Sequence, residues 1–260
     1  MGILNVTPDS FSDKRRFDTP RKALRRAKEM FEQGVDIIDI GGESTGPGSK
    51  EVSVDEELER VIPVVSKIKE RFNVLVSVDT YKSKVAEEAL KLGVEIINDV
   101  TALRGDANLG HVVAQYGAYL VLMYSKDPTP RTTLEKKKYQ DVTKEIKSFL
   151  RERVRLALMQ KIKKEQIILD PGMGAFVSMD PAYSFEIINR LTEFKELGFP
   201  LLVGTSRKSY LGGKTKERLV PSLITSALSV YNGTSIVRVH DVAETRQMID
   251  IVEKFLVTNV

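Results

Sequence analysis

Seven short apolar runs in this chain each stop at side chains that can bind or polarise a small molecule. The stops are Asn5 with the segment TPDSFSD, Gly41-Gly42-Glu43-Ser44-Thr45, Asp79, Asn98-Asp99, Asp170-Pro171-Gly172, Ser206-Arg207-Lys208-Ser209 and Arg238-Val239-His240-Asp241. Asp79, Asp170 and the Asn98 amide together supply acceptors and donors for a flat, nitrogen-rich heterocycle. A carboxylate accepts two parallel N–H groups of an amino-pyrimidinone, and an amide matches a lactam edge. Arg238, His240 and Asn5 suit an anion, with Mg2+ bridging its oxygens, because that ion keeps several waters and binds through substrate phosphates. A planar base carrying a charged leaving group points to a transferase. Ser206 to Ser209 read first as a grip for a phosphate or carboxylate. Arg238, His240 and Asn5 make the better anion site, which leaves Lys208 for the heterocycle.

Each of these residues also has an ordinary structural role open to it. Asp79 could cap the helix that follows, and Asn98-Asp99 could form an Asx turn. Asp170-Pro171-Gly172 is a turn sequence in its own right, while Arg207 and Lys208 would usually be solvated. Arg238 resists such a reading, since it lies among Ile236, Val237 and Val239, where an unpaired cation is costly. His111 reads as structural and Met123 as core. Seven separate structural roles on one rim would be a larger coincidence than one pocket.

The elements that position these residues are legible as a repeating unit. Strand candidates are Ile3–Val6, Asp36–Ile40, Val74–Val78, Glu95–Ile97, Tyr119–Met123, Gln166–Leu169, Pro200–Val203 and Ser235–Val239. Between them lie helical stripes such as Leu58, Val61, Ile62, Val65 and Ile68, with a kink expected at Pro63. Thr19-Pro20 and Asp180-Pro181 start helices, and Gly34 and Gly93 end them. Eight strand–helix units predict an α/β fold: one (β/α)8 TIM barrel spanning residues 1–260 as a single domain, with the active site at the C-terminal ends of the strands. A doubly wound sheet is the alternative, disfavoured by the absence of a glycine-rich dinucleotide loop. Residues 131–164 read as a Lys-rich loop and one long solvated helix.

Composition narrows the function further. No cysteine is present, which excludes Cys-ligated metals and disulfides, and the two histidines leave little room for a zinc site. A net charge of +4 fits an anionic small substrate and is too diffuse for nucleic acid. No signal peptide or long apolar span is apparent, so no membrane partner and a cytoplasmic location are expected.

In this order and at this spacing, MGILNVTPDSFSD, GGEST-x-PG, SVDT, IIND, LDPG, GTSRKS and RVHD resemble the dihydropteroate synthases, over essentially the whole chain. The resemblance implies a TIM barrel, a homodimer and a step of folate synthesis. In that step 6-hydroxymethyl-7,8-dihydropterin diphosphate joins 4-aminobenzoate, releasing diphosphate with Mg2+ as cofactor. By motif position it implies that Asp79, Asn98, Asp170 and Lys208 bind the pterin. Asn5 would ligate Mg2+, Thr45, Arg238 and His240 would hold the diphosphate, and Ser209 would lie near the aminobenzoate carboxylate. It further implies a dissociative reaction, with Arg238 and His240 stabilising the leaving charge and Asp79 and Asp170 the developing cation.

Three positions depart from the family pattern: Gly46 where an arginine is usual, Ala175 where an aromatic is usual, and Tyr124-Ser125 after the fifth strand. They leave the pterin residues intact and alter the second-substrate side. A pterin-dependent methyltransferase, a synthase using a different arylamine, and a pterin-binding protein with little catalysis are therefore the alternatives.

Overall fold

A parallel strand covered on both faces must be largely apolar, and the runs Ile37-Ile38 and Leu120–Leu122 satisfy that demand, as do Val76 and Val78 on either side of the buried Ser77. In the computed structural model residues 1–7 and 19–258 are described. Within them β1 (Gly2–Asn5), α1 (Thr19–Glu32), β2 (Ile37–Gly41), α2 (Val54–Arg71), β3 (Leu75–Asp79), α3 (Ser83–Lys91), β4 (Ile96–Asp99) and α4 (Leu109–Tyr116) form the first half. The second half is β5 (Tyr119–Met123), α5 (Val142–Met159), β6 (Ile167–Asp170), α6 (Pro181–Asn189), β7 (Leu202–Val203), α7 (Leu219–Tyr231), β8 (Ile236–Val237) and α8 (Val242–Thr258). Pro8 to Asp13 of the first motif lie outside the described residues.

Strands β1 to β6 pair in chain order, and β7 pairs with β8. Bridges Leu169↔Leu201 and Gly2↔Val239 join the two sheets, so that each strand bonds to the next and the last to the first. The result is the (β/α)8 ring; a doubly wound sheet would have left open edges.

Two packed regions follow from the period-two alternation of the strands. The larger lies between strands and helices and includes Ile38, Ile40, Val78, Leu120, Leu169, Ile68 and Phe194. The smaller is Met1, Ile37, Ile96, Val121, Ile168 and Leu202 with Ile236 packed on it; these alternate strand positions fill the barrel interior. Two residues further along, the same interior side carries Asp39, Asn98, Asp170 and Arg238. The chemistry is therefore stacked on an apolar plug.

Each of β2, β3, β4 and β6 runs past its expected end, to Gly41, Asp79, Asp99 and Asp170. The polar residues there are held by the ladder itself: Asn5↔Gly41, Gly41↔Asp79 and Asp79↔Asn98 are register partners, as are Met123↔Asp170. Helix α2 continues through Pro63 without ending there. Residues 131–164 hold more than a solvated helix, because α5 buries Ile146, Leu150, Val154 and Ala157. Helix starts at Thr19 and at the Asp180 cap agree with the sequence.

Gly42 sets the approach of α2 to β2. A Cβ there would meet Val61 Cγ2 at 2.7 Å and Glu57 Cγ at 2.9 Å. Gly42→Ala is expected to cost about 1–3 kcal/mol through overpacking, read as a lower urea midpoint at unchanged slope.

Candidate active site

A cleft of about 870 Å³ opens at the C-terminal ends of the strands, lined by Asn5, Thr45, Asp79, Phe176 and Arg238 and by the loop Ser44 to Lys50. Arg238 rises from β8 between two carboxylates. Its Nε donates to Asp39 Oδ2 at 2.6 Å and its Nη2 to Asp79 Oδ2 at 2.7 Å. This pairing explains how an arginine can stand in an apolar run. Asn98 donates from Nδ2 to the same Asp39 oxygen at 3.2 Å, which leaves its carbonyl oxygen as the group offered elsewhere.

The mouth is electrostatically strained in a useful way. Burial pushes Asp79 up to about 7; Arg238 opposes the shift and Asp39 adds to it. Burial also raises Asp170 to about 6, against the Gly172 N–H that donates to its Oδ1 at 2.7 Å. Lys208 falls to about 8 because burial outweighs the attraction of Asp170. Of these, Asp79 lines the cleft, while Asp170, Lys208 and Asn98 are not among its lining residues. Lys208 is coupled electrostatically to both carboxylates, and such perturbed groups of opposite sign beside a cleft mark a candidate working site. Asp79 is not a helix cap, since Lys82 occupies that position for α3. Asp99 is the turn-former of its pair, accepting from Thr101 and Leu103 N–H groups, and so Asn98 is free for the site.

The loop after β7 divides its residues between two directions. Lys208 Nζ donates to Met173 O at 3.2 Å and lies 4.9 Å over the Phe176 ring. Arg207, in the left-handed region at φ 57°, instead turns away to pair with Asp241 through Nε at 3.0 Å. Ser206 Oγ accepts the His240 backbone N–H at 3.1 Å and lies 3.0 Å from His240 Nδ1. With Oγ–H given to Nδ1, the ring proton sits on Nε2. His240 is lowered to about 4 by burial and by the cations Arg238 and Arg207, so it acts as a neutral donor and not as a cation. It lines a neighbouring groove with Arg26, Arg207 and Asp241, beside the main cleft. Ser209 is exposed at the start of a 3-10 turn and is not among the residues lining the cleft.

Several contributors were not evident beforehand. Asp39 passed as part of an apolar run, although a carboxylate two residues before Gly41 shares its interior face. Glu43, Lys82 and Glu57 form a buried cluster beneath the loop after β2, with Lys82 Nζ 2.6 Å from both carboxylates and from Val52 O. Arg131 pairs with Glu43, Thr132 N donates to Thr45 O at 3.1 Å, and Thr132 Oγ1 donates to Ala175 O at 2.8 Å. The stretch read as a plain Lys-rich loop thus ties the loops after β2 and β6 together. Arg60 also lines the cleft, donating to Gly42 O at 2.7 Å.

For a divalent cation, no group of three or more His, Cys, Asp or Glu among the described residues forms a cage. The Asn5 amide at the cleft wall does fit an ion that takes one protein oxygen and otherwise relies on phosphate oxygens and water.

Comparison with known proteins gives the family. The family described as pterin binding enzyme matches residues 1–240. The dihydropteroate synthase of Escherichia coli is 44% identical over 260 residues, covering 98% of this chain and 91% of its own length. The crystal structure of the Clostridium difficile dihydropteroate synthase in the presence of pteroic acid superposes with a TM-score of 0.92 at 45% identity, covering 98% of this chain and 95% of that one. The Xanthomonas albilineans enzyme with 4-aminobenzoic acid gives 0.90 at 37% identity, over 100% and 92% of the two chains.

Lys82 compensates two buried carboxylates at once. Lys82→Met should cost about 3–5 kcal/mol in urea unfolding, since it strands the buried Glu57 charge and leaves Glu43 to Arg131 alone; a loss under about 1 kcal/mol would refute the cluster's importance.

Proposed function

The chain belongs to the pterin-binding enzymes, among the dihydropteroate synthases, and is a transferase of folate synthesis; from that premise we propose how its cleft divides the work. The substrates are 6-hydroxymethyl-7,8-dihydropterin diphosphate and 4-aminobenzoate, and the products are 7,8-dihydropteroate and diphosphate. The observation that carries the assignment is the convergence of Asp79, Asn98, Asp170 and Lys208 above one apolar plug, from four different strands or their loops. Pteroic acid and 4-aminobenzoic acid in the relatives' structures support it.

Asp79 and Asp170, when ionised, accept N–H groups of the pterin, and the Asn98 carbonyl oxygen accepts a lactam N–H. Lys208 donates to the ring. The C–O bond to the diphosphate breaks first, and its electron pair leaves with the diphosphate. Asp79 and Asp170 stabilise the resulting methylene-pterin cation, because fixed charges in a partly dry site need no reorganisation. Arg238 and Thr45, which line the same cleft, hold the departing anion, and His240 offers its Nε2–H to it from the neighbouring groove. Asn5 would hold Mg2+, which supplies charge neutralisation on the leaving diphosphate. The aniline nitrogen then attacks with its lone pair, and its proton passes to diphosphate or water. No strong base is required.

The altered second-substrate side retains what that substrate requires. Phe176, next to Ala175, lines the cleft and so offers the aromatic surface for the aminobenzoate ring. Gly46 stands in open space near Ser44 Oγ, while Lys50 and Arg60 line the same cleft as cations. Ser209 keeps its role only if the 3-10 turn faces the bound amine.

We also read residues 1–260 as one domain in a cytoplasmic homodimer. No described helix is long and apolar enough to cross a membrane. Helix α7 exposes Val220, Ile224, Leu228 and Tyr231 at 61%, 54%, 49% and 52%. That spacing makes one stripe, and packed beside it α8 exposes Ile251 and Phe255. Such a stripe suits burial against a second copy.

Two tests follow. Purified protein given both substrates and Mg2+ should release diphosphate and form dihydropteroate together; diphosphate alone would mean a different amine. In the same system Lys208→Ala should weaken pterin diphosphate binding about a hundredfold, and Phe176→Ala should raise mainly the aminobenzoate KM. Wild-type affinity should climb with pH as Asp170 and Asp79 ionise near about 6 and about 7, then fall as Lys208 loses its proton near about 8. A flat profile from pH 5 to 9 would contradict the carboxylate contacts. Second, sedimentation equilibrium should give a dimer, and Ile224→Glu a monomer.

A further inference from the structure

Asp39 is fully buried within β2, one interior position before Gly41. Its Oδ2 collects Arg238 Nε from β8 and Asn98 Nδ2 from β4, so a single oxygen joins three strands below the cleft. Its Oδ1 is buried with no partner among the described residues, as is Oγ of its register neighbour Ser77. A carboxylate kept half-satisfied at such depth is a poor way to stabilise a barrel; an apolar residue of similar volume would usually serve better.

We propose that Asp39 is a positioning residue for the transfer reaction, orienting the Arg238 guanidinium and the Asn98 amide together while touching neither substrate. The proposal rests on the reading of this cleft as the pterin site. Two geometric points carry it. A guanidinium is a planar fork, and bonds from Nε to Asp39 and from Nη2 to Asp79 fix its plane where one bond would leave a swing. An amide can present either end. By accepting from Nδ2 through an oxygen that also accepts from Arg238 Nε, Asp39 leaves Asn98 Oδ1 as the atom offered to the ligand. Asp39 thereby selects a lactam N–H over a ring acceptor, which makes it a specificity device as well as a support.

The test compares Asp39→Asn with wild type by calorimetric titration of pterin diphosphate and by steady-state kinetics. Pterin diphosphate affinity should drop about ten- to a hundredfold, with the aminobenzoate KM at saturating pterin within about twofold, since nothing on that side leans on Asp39. The charges around Asp79 are Arg238 from β8, Asp39 from β2, Glu57 from α2, Asp99 from β4 and Lys208 from the loop after β7. Removing one negative neighbour should shift the acid limb of pterin binding to lower pH, which a merely structural lesion would not do. Unchanged pterin affinity overturns the proposal. So does a parallel fall in both substrates' affinities and in the urea midpoint with the acid limb unmoved. Asp39→Ser, which leaves room for a water, is the second variant; if neither variant folds, the carboxylate is structural and the proposal falls. Wild-type protein that fails to bind pterin diphosphate would instead refute the site reading itself.

Discussion

An arginine placed at the mouth of a closed ring of strands has to be paired, and the pairing of Arg238 shapes this structure. Its partners come from β2 and β3, far away along the chain: Asp39 and Asp79 lie 199 and 159 residues from it in sequence. Only closure of the barrel through the Gly2↔Val239 bridge brings β8 beside β1 and its cation over those carboxylates. The apolar plug of Ile37, Ile96, Val121, Ile168 and Leu202 lies beneath and holds water away from the charges above. Low polarisability there keeps Asp79, Asp170 and Lys208 titrating near neutrality.

The loops extend the same logic outward. The charges of Glu43 and Glu57 are met by Lys82 and Arg131, so the loop after β2 is tied at its base to α2 and α3 and at its top to the loop after β5. Thr132 reaches both Thr45 and Ala175, coupling the wall proposed for the diphosphate to the turn that carries Phe176. The positions that depart from the family pattern, Gly46 and Ala175, thus sit in loops braced by residues of the β5 loop.

How far the site could be read in advance varied residue by residue. Asp79, Asn98, Asp170 and Arg238 were legible because each ends an apolar run, and strand ends in such a barrel share one rim. Asp39 was not, since a single acid inside DIIDIGG carries no turn or cap signal, and only the count of two back from Gly41 marks its face. Arg131 and Lys82 were invisible for a different reason. Both look like surface cations in a chain rich in them, and their partners lie 88 and 39 or 25 residues away. His240 was read with Arg238 and Asn5 as an anion site, but its charge was not legible; burial first, and then Arg238 and Arg207, lower its pKa to about 4 and keep it neutral.

By itself, then, the amino-acid sequence determined the eight strand–helix units, the rim residues and the family, because periodicity and strand-end chemistry are local. Tertiary structure alone decided which carboxylates hold Arg238, which end of the Asn98 amide Asp39 takes, and which charge His240 carries. Those depend on distances across the ring and on burial. Neither quantity exists until the first strand meets the eighth.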